Sequence, residues 1–173
     1  AHGFCAERGV LTAVKPHAGR DLVLVVDLEA FFPSIHAARI HGLFQSFGYP
    51  EVVARALTDL CTTRSRVLPA RRDGSEVTPL ERMRYARRHL PAGAPSSPDL
   101  ANRIAYRLDC RLEGFARACG ARYTRYADDL VFSAETGLAV KRFLQGVARV
   151  VSSEGFTIHS RKTRVMTQAD QQR

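Results

Sequence analysis

The stretch Leu22-Val23-Leu24-Val25-Val26-Asp27 restricts the fold of this chain more than any other. A continuous apolar run that ends abruptly in an acid is the pattern of a strand buried on both faces, with Asp27 at its exit. A second β-rich region surrounds Tyr126-Ala127-Asp128-Asp129. Ala121 to Arg125 before it and Leu130 to Ser133 after it read as the arms of a hairpin with a tight acidic turn. Neighbouring Asp side chains repel, and each raises the other's pKa unless a cation sits close by, so the pair points to a divalent metal. A solvated turn explains the same pair taken alone, because Asp tolerates turn geometry. If the hairpin pairs beside the first strand, Asp27, Asp128 and Asp129 converge at one edge of a sheet. A cluster of oxygen ligands alone suits Mg²⁺ or Mn²⁺, and neither zinc nor a haem.

The chain has 173 residues, enough for one domain with a sizeable core, and carries 26 Lys+Arg against 17 Asp+Glu, a formal charge of +9. Most of the excess is Arg, the side chain best shaped to grip phosphates, so a polyanionic partner, nucleic acid, is expected over a protein that is merely basic. Cys5, Cys61, Cys110 and Cys119 show no CxxC spacing. A disulfide framework or zinc site is not expected, and a reducing cytoplasm fits. No apolar stretch approaches the length of a membrane span and no signal-peptide pattern opens the chain, so no membrane partner is expected.

Residues 1–20 read as irregular, punctuated by Gly3, Gly9, Pro16 and Gly19; the absence of an initial Met points to a piece of something longer. After Asp27, Phe31 to Ile35 lead into a helix, with Ser34 as its cap, Leu43, Phe44 and Phe47 on its apolar side and Gly48 as its stop. A second helix follows Pro50, its apolar stripe formed by Val53, Ala56, Leu57, Leu60 and Cys61. Residues 64–89, broken by Pro69, Gly74 and Pro79, read as a basic insertion loop. Arg71, Arg72, Arg84, Arg87 and Arg88 there are candidates for phosphate contacts, or simply a solvated surface. Leu90 to Pro98 precede a long helix capped by Ser97, with Pro98 at its first position and Leu100, Ile104, Leu108, Leu112 and Phe115 on one face. The Gly93-Ala94-Pro95 stretch lacks bulk, so a base or sugar could lie against the backbone there; a helix-entry loop accounts for the same residues. A helix over 138–151 and a short strand beginning at Gly155-Phe156-Thr157-Ile158 complete an α+β plan, with helices packed on one face of a small antiparallel sheet and the acidic edge open.

Four segments, in order, resemble successive motifs of reverse transcriptases, most closely the bacterial retron and group II intron branch. They are Asp27 to Ile35, Leu90 to Pro98, Tyr126 to Asp129, and Gly155 to Ile158 continuing through Lys162-Thr163-Arg164. His2-Gly3-Phe4 is similar to the segment before the palm in retron-type enzymes, so the resemblance covers nearly the whole chain. It implies a polymerase palm over residues 21–173, with partial fingers in residues 1–20 and no thumb, acting as an RNA-directed DNA polymerase. It further implies that Asp27, Asp128 and Asp129 hold two Mg²⁺ ions, with Mn²⁺ as an alternative, for nucleotidyl transfer from a dNTP to a primer 3′-hydroxyl on an RNA template. Lys162 would neutralise or protonate the leaving pyrophosphate; by itself it reads as a solvated lysine. Leu28, Phe32, Ala92, Gly93 and Tyr126 would surround the nucleotide and primer end. Phe32 would exclude a 2′-hydroxyl, although a core Phe beside Phe31 is as natural a reading. RNA template, DNA primer and dNTP are the implied partners, together with a cognate structured non-coding RNA and an effector protein.

Two positions depart from the pattern. Ala92 stands where the family usually has Gln, and Ala13, in Ala13-Val14-Lys15-Pro16-His17, stands where a retron-associated segment has Asn. Two other functions share these features: a palm that makes RNA or untemplated product, and a palm that has lost catalysis and serves as a nucleic-acid-binding scaffold. Phe32 argues against the first. The intact acidic trio argues against the second, since clustered acids are costly to keep without a metal.

Overall fold

The computed structural model describes residues 1–65, 77–135 and 137–167. These group into two compact units, one formed by Ala1–Glu29 with Ala105–Arg173 and the other by Ala30–Ile104.

The first unit is built on an antiparallel sheet of four strands: β1 (Leu22–Asp27), β2 (Arg122–Tyr126), β3 (Asp129–Ala134) and β4 (Arg164–Thr167), in the order β2-β3-β1-β4. The apolar run is the internal strand its composition demands, flanked by β3 and β4. Strand alternation sorts the side chains. Cross-strand partners Leu24–Phe132, Val26–Leu130 and Phe132–Tyr123 share one face with Arg125, whereas Asp27–Asp129, Val23–Ser133 and Val131–Thr124 share the other.

Helices α7 (Tyr106–Ala118) and α8 (Val140–Ser153) bury Leu108, Leu112, Ala116, Phe143, Val147 and Val151 in the core of this unit. Phe132 is fully buried against two aromatic neighbours, with ring centroids 5.1 Å from Tyr123 and 5.2 Å from Phe143. The opposite face carries α1 (Val10–Val14) and the 3₁₀ turn Lys15–His17, both within the segment expected to be irregular, so helices are not confined to one face of the sheet. His17 ties that turn to the hairpin. Its Nε2 lies 2.8 Å from Thr124 Oγ1 and its Nδ1 2.7 Å from Ser133 Oγ. Thr124 spends its own hydroxyl proton on the Ala13 carbonyl, 3.0 Å away, so Nε2 carries the imidazole proton and Nδ1 accepts from Ser133.

A neutral imidazole satisfies this arrangement and an imidazolium does not. Burial, and then the nearby Arg122, His2 and Arg20, push the His17 pKa from 6.5 down to about 4. Because the unfolded chain binds the proton more readily, the contribution is fully present above about pH 6.5 and is lost as pH falls towards 4. After discounting for solvent screening it is on the order of 2 kcal/mol. Denaturant unfolding between pH 7 and pH 4 should therefore show a steeper loss of stability for the wild type than for His17→Gln. Parallel curves would mean that another group carries the dependence.

The second unit holds α2 (Phe31–Ser34), α3 (Ala37–Ser46), α4 (Glu51–Cys61), α5 (Pro79–Ala86) and α6 (Ser97–Ile104) around buried Ile35, Ile40, Ala54 and Leu90. Several sequence expectations are corrected here. Ser34 does not cap α3; its hydroxyl donates to the Phe31 carbonyl and His36 takes the cap position. The buried stripe of α4 is Ala54 and Thr58, whereas Leu60 is 83% exposed; Thr58 hides its polarity by donating to the Ala54 carbonyl at 2.7 Å. The segment 64–89 is not a loop throughout. Pro79 opens α5, and Thr78 and Glu81 form a reciprocal capping box before it. Ser97 is the first residue of α6; its buried hydroxyl has no partner among the described residues and caps nothing. The long helix expected from Pro98 through Phe115 is broken at Ala105 into α6 and α7. In the first unit, the strand expected from Gly155 is an isolated bridge between Ile158 and Leu28, and the strand itself begins at Arg164.

Candidate active site

Asp27 ends β1 directly opposite Asp129, the first residue of β3. Like charges placed across a strand pair oppose folding unless something offsets them. The Leu28 N–H donates to the Asp128 carbonyl at 3.0 Å, which brings the two-residue loop Ala127-Asp128 up to the end of β1. The segment after α8 closes the other side. Glu29 N–H donates to Thr157 O (2.8 Å), His159 N–H donates to Asp27 O (2.8 Å), and Lys162 N–H donates to His159 O (3.0 Å). This places Lys162, in the 3₁₀ turn Ser160–Lys162, with its Nζ 3.0 Å from Asp27 Oδ1.

The electrostatics match the crowding of acids. Burial, with the Asp27 charge added, raises the Asp128 carboxyl above its ordinary pKa; Lys162 and Arg125 oppose the rise. Burial, then Asp128, then Asp27 raise that of Asp129, against Lys162 and Arg164. Lys162 is 57% exposed, so its ion pair with Asp27 is screened and offsets only part of this repulsion. Among the described residues no three His, Cys, Asp or Glu side chains are drawn together as a ready-made metal cage. The donor set nevertheless fits a hard divalent cation: carboxylate oxygens only, mutually repelling, and short of positive charge.

Tyr126 ends β2 and is partly exposed beside this turn. Leu28 follows Asp27 with its side chain in the core, 1% exposed. Phe32, Ala92, Gly93, Arg84, Arg87 and Arg88 belong to the second unit. Phe32 is partly exposed, its ring edge-on to that of Phe31 at 5.4 Å. Ala92 and Gly93 form an exposed turn in which Gly93 has φ +90°, and a side chain built there would meet nothing within 4 Å. The backbone conformation, not crowding, favours glycine there. Arg64, Arg87 and Arg88 line an open depression with His36, but Arg88 is engaged, donating to the Asp59 carbonyl (2.8 Å) and to Thr62 Oγ1 (3.2 Å). Arg71 and Arg72 lie outside the described residues.

Sequence reasoning missed two charged residues packed behind the hairpin, Asp109 on α7 and Arg125 on β2. Arg125 is fully buried and pairs with Asp109 through Nε–Oδ1 (2.7 Å) and Nη2–Oδ2 (2.8 Å). The available signal was strand alternation, which puts Arg125 on the same face as Tyr123 and Phe132.

The family model described as reverse transcriptase (RNA-dependent DNA polymerase) matches residues 1–173. The retron Mx65 reverse transcriptase of Myxococcus xanthus is 43% identical over 173 residues, covering 100% of this chain and 39% of that protein. The retron Ec86 reverse transcriptase of Escherichia coli is 37% identical over 161 residues, covering 93% of this chain and 43% of its own length. The retron Mx162 reverse transcriptase of Myxococcus xanthus is 38% identical over 183 residues, covering 100% of this chain and 37% of that protein. The chain thus spans about two fifths of the length of the curated relatives it matches. Among the described residues no helix is long and apolar enough to cross a membrane.

Proposed function

The chain belongs to the reverse transcriptase family, and from that premise we propose that it is the palm, with part of the fingers, of a retron-type RNA-directed DNA polymerase. The observation that carries the reading is the pairing of Asp27 with Asp129 at the strand ends, with Asp128 in the adjoining turn and Lys162 on Asp27. Enzymes of this family use divalent metals, typically Mg²⁺, and two such ions held by Asp27, Asp128 and Asp129 would supply Lewis acidity at the primer 3′-oxygen and at the triphosphate.

The remaining roles fall to the chain's own residues. Lys162 carries a proton at Nζ within reach of Asp27; released from it, the ammonium would neutralise or protonate the departing pyrophosphate. Phe32 would pack under the sugar and leave no room for a 2′-hydroxyl. Tyr126 would lie near the primer end, and the open backbone at Gly93 would let the incoming nucleotide approach. Ala92 offers that nucleotide no side-chain amide of its own. The Arg-rich surface would hold template and primer through phosphates, with strong salt dependence. The cognate partners, by the same reading, are a structured non-coding RNA and an effector protein, in the cytoplasm.

Primer extension on an RNA template with Mg²⁺, with dNTPs and rNTPs supplied separately, tests this on the longest natural chain that carries the sequence. Extension is expected with dNTPs and not with rNTPs, and Phe32→Val should admit rNTPs. RNA binding without extension by that chain would leave a scaffold and overturn the polymerase reading. Extension with rNTPs by the wild type would overturn the choice of substrate.

A further inference from the structure

The polymerase reading leaves the cluster of Tyr123, Arg125 and Asp109 without a role. Arg125 lies on the face of the sheet covered by α7 and α8, opposite the face that carries Asp27 and Asp129. Two of its nitrogens grip both oxygens of Asp109, fork to fork. Asp109 also accepts from the Tyr123 hydroxyl at 2.8 Å, so its carboxylate is held by two strand residues. The third guanidinium nitrogen, Nη1, donates to the Ala127 carbonyl at 2.9 Å.

That last contact falls on an unusual peptide. Ala127 has φ +54°, a left-handed conformation that costs a non-glycine residue about 1–2 kcal/mol. The same loop is supported from a second side. His2 N–H donates to the Arg125 carbonyl at 2.7 Å, and Gly3 lies so close that a Cβ there would come within 2.6 Å of Ala127 N. The carbonyl held by Arg125 belongs to the peptide that leads directly into Asp128.

We infer that Asp109 and Arg125 are positioning residues for the acidic hairpin: α7 orients the guanidinium, the guanidinium fixes the Ala127 carbonyl, and that peptide sets the direction of Asp128 and Asp129. The inference rests on the polymerase reading of the hairpin. A buried ion pair contributes little net stability compared with an apolar pair of similar volume. The contact to Ala127 is what an apolar pair cannot reproduce.

The test uses the longest natural chain carrying this sequence, as wild type, Arg125→Lys and the double variant Asp109→Leu/Arg125→Met. The readouts are Mn²⁺ affinity by electron paramagnetic resonance titration, single-turnover extension rate, and thermal melting. Arg125→Lys keeps the charge and loses the fork; Mn²⁺ affinity and rate should fall about 10–100-fold, the range for loss of a group that orients metal ligands. The double variant leaves no buried charge unpaired, though the Tyr123 hydroxyl and the Ala127 carbonyl lose their partners, so it should still fold, melt somewhat below the wild type and show the same loss. A double variant with wild-type Mn²⁺ affinity and rate would overturn the inference, making the pair a packing element. If the double variant does not fold, Arg125→Lys decides: folded and unaltered in Mn²⁺ affinity, it also overturns the inference. A wild type that neither binds Mn²⁺ nor extends a primer would remove the polymerase reading, and this inference with it. An active wild type beside an indifferent variant would remove the positioning role alone.

Discussion

Asp128→Asn is expected to slow primer extension on the order of 10³-fold while leaving the chain at least as resistant to heat as the wild type. The two effects have one origin. Burial and the Asp27 charge already disfavour the ionised form of Asp128, and Asp128 in turn raises the pKa of Asp129. A neutral amide of nearly the same shape removes that repulsion, worth up to about 1 kcal/mol for like charges on paired strands. The same charge is what would hold a divalent cation. At an effective dielectric of about 20, unit charges 4 Å apart interact by about 4 kcal/mol. Loss of that interaction from the transition state lowers the rate on the order of 10³-fold. Single-turnover extension and circular dichroism melts, each with and without Mg²⁺, separate the terms. Mg²⁺ should raise the melting temperature of the wild type more than that of the variant. An Asp128→Asn protein that polymerises at the wild-type rate would remove the acid from the mechanism, and one that melts far lower would make it structural.

Phe132→Ala should be the most destabilising single truncation in the first unit. The ring is fully buried on the face covered by α7 and α8, packed between Tyr123 on the neighbouring strand and Phe143 on α8, and Phe143 stacks in turn on Phe115 at 5.3 Å. Removing it leaves a cavity bordered by strand and helix, neither of which can collapse freely, at a cost of about 3–5 kcal/mol. For a chain of this length the melting temperature should fall on the order of 10 °C. Phe132→Leu, which refills part of the space, should recover much of that. Equal melting temperatures for Phe132→Ala and the wild type would show that the ring cluster does not hold the sheet to its helices.

The internal strand and the acidic hairpin were legible in the sequence because each carries its signal locally. An apolar run that stops at Asp27, and β-formers flanking Asp128-Asp129, need no distant information. The opposition of Asp27 and Asp129 followed once the two were paired. What stayed hidden depends on partners remote in sequence or on small residues. The packing stripe of α4 runs through Ala54 and Thr58, which a count of large apolar side chains passes over in favour of Leu60. The break at Ala105 has no proline or glycine to announce it. The strand expected at Gly155 was displaced because Thr157 and His159 give their backbone bonds to the end of β1 instead of extending a ladder. His17 and Arg125 each read as ordinary polar residues; their burial depends on Ser133, Thr124 and Asp109, supplied by other elements.

The strand order has a consequence for synthesis on the ribosome. β1 leaves the ribosome well before either neighbour, since both lie more than a hundred residues downstream, Leu22 pairing with Ala134 on one side and Thr167 on the other. At about 5–20 residues per second, its five apolar residues wait roughly 5–20 s for the first partner strand. Both edges of a strongly β-forming segment are open during that interval. Nascent chains stalled before residue 129 should therefore be the species most prone to aggregate or to recruit a chaperone, and release of the β2–β3 hairpin from the exit tunnel should end that vulnerability.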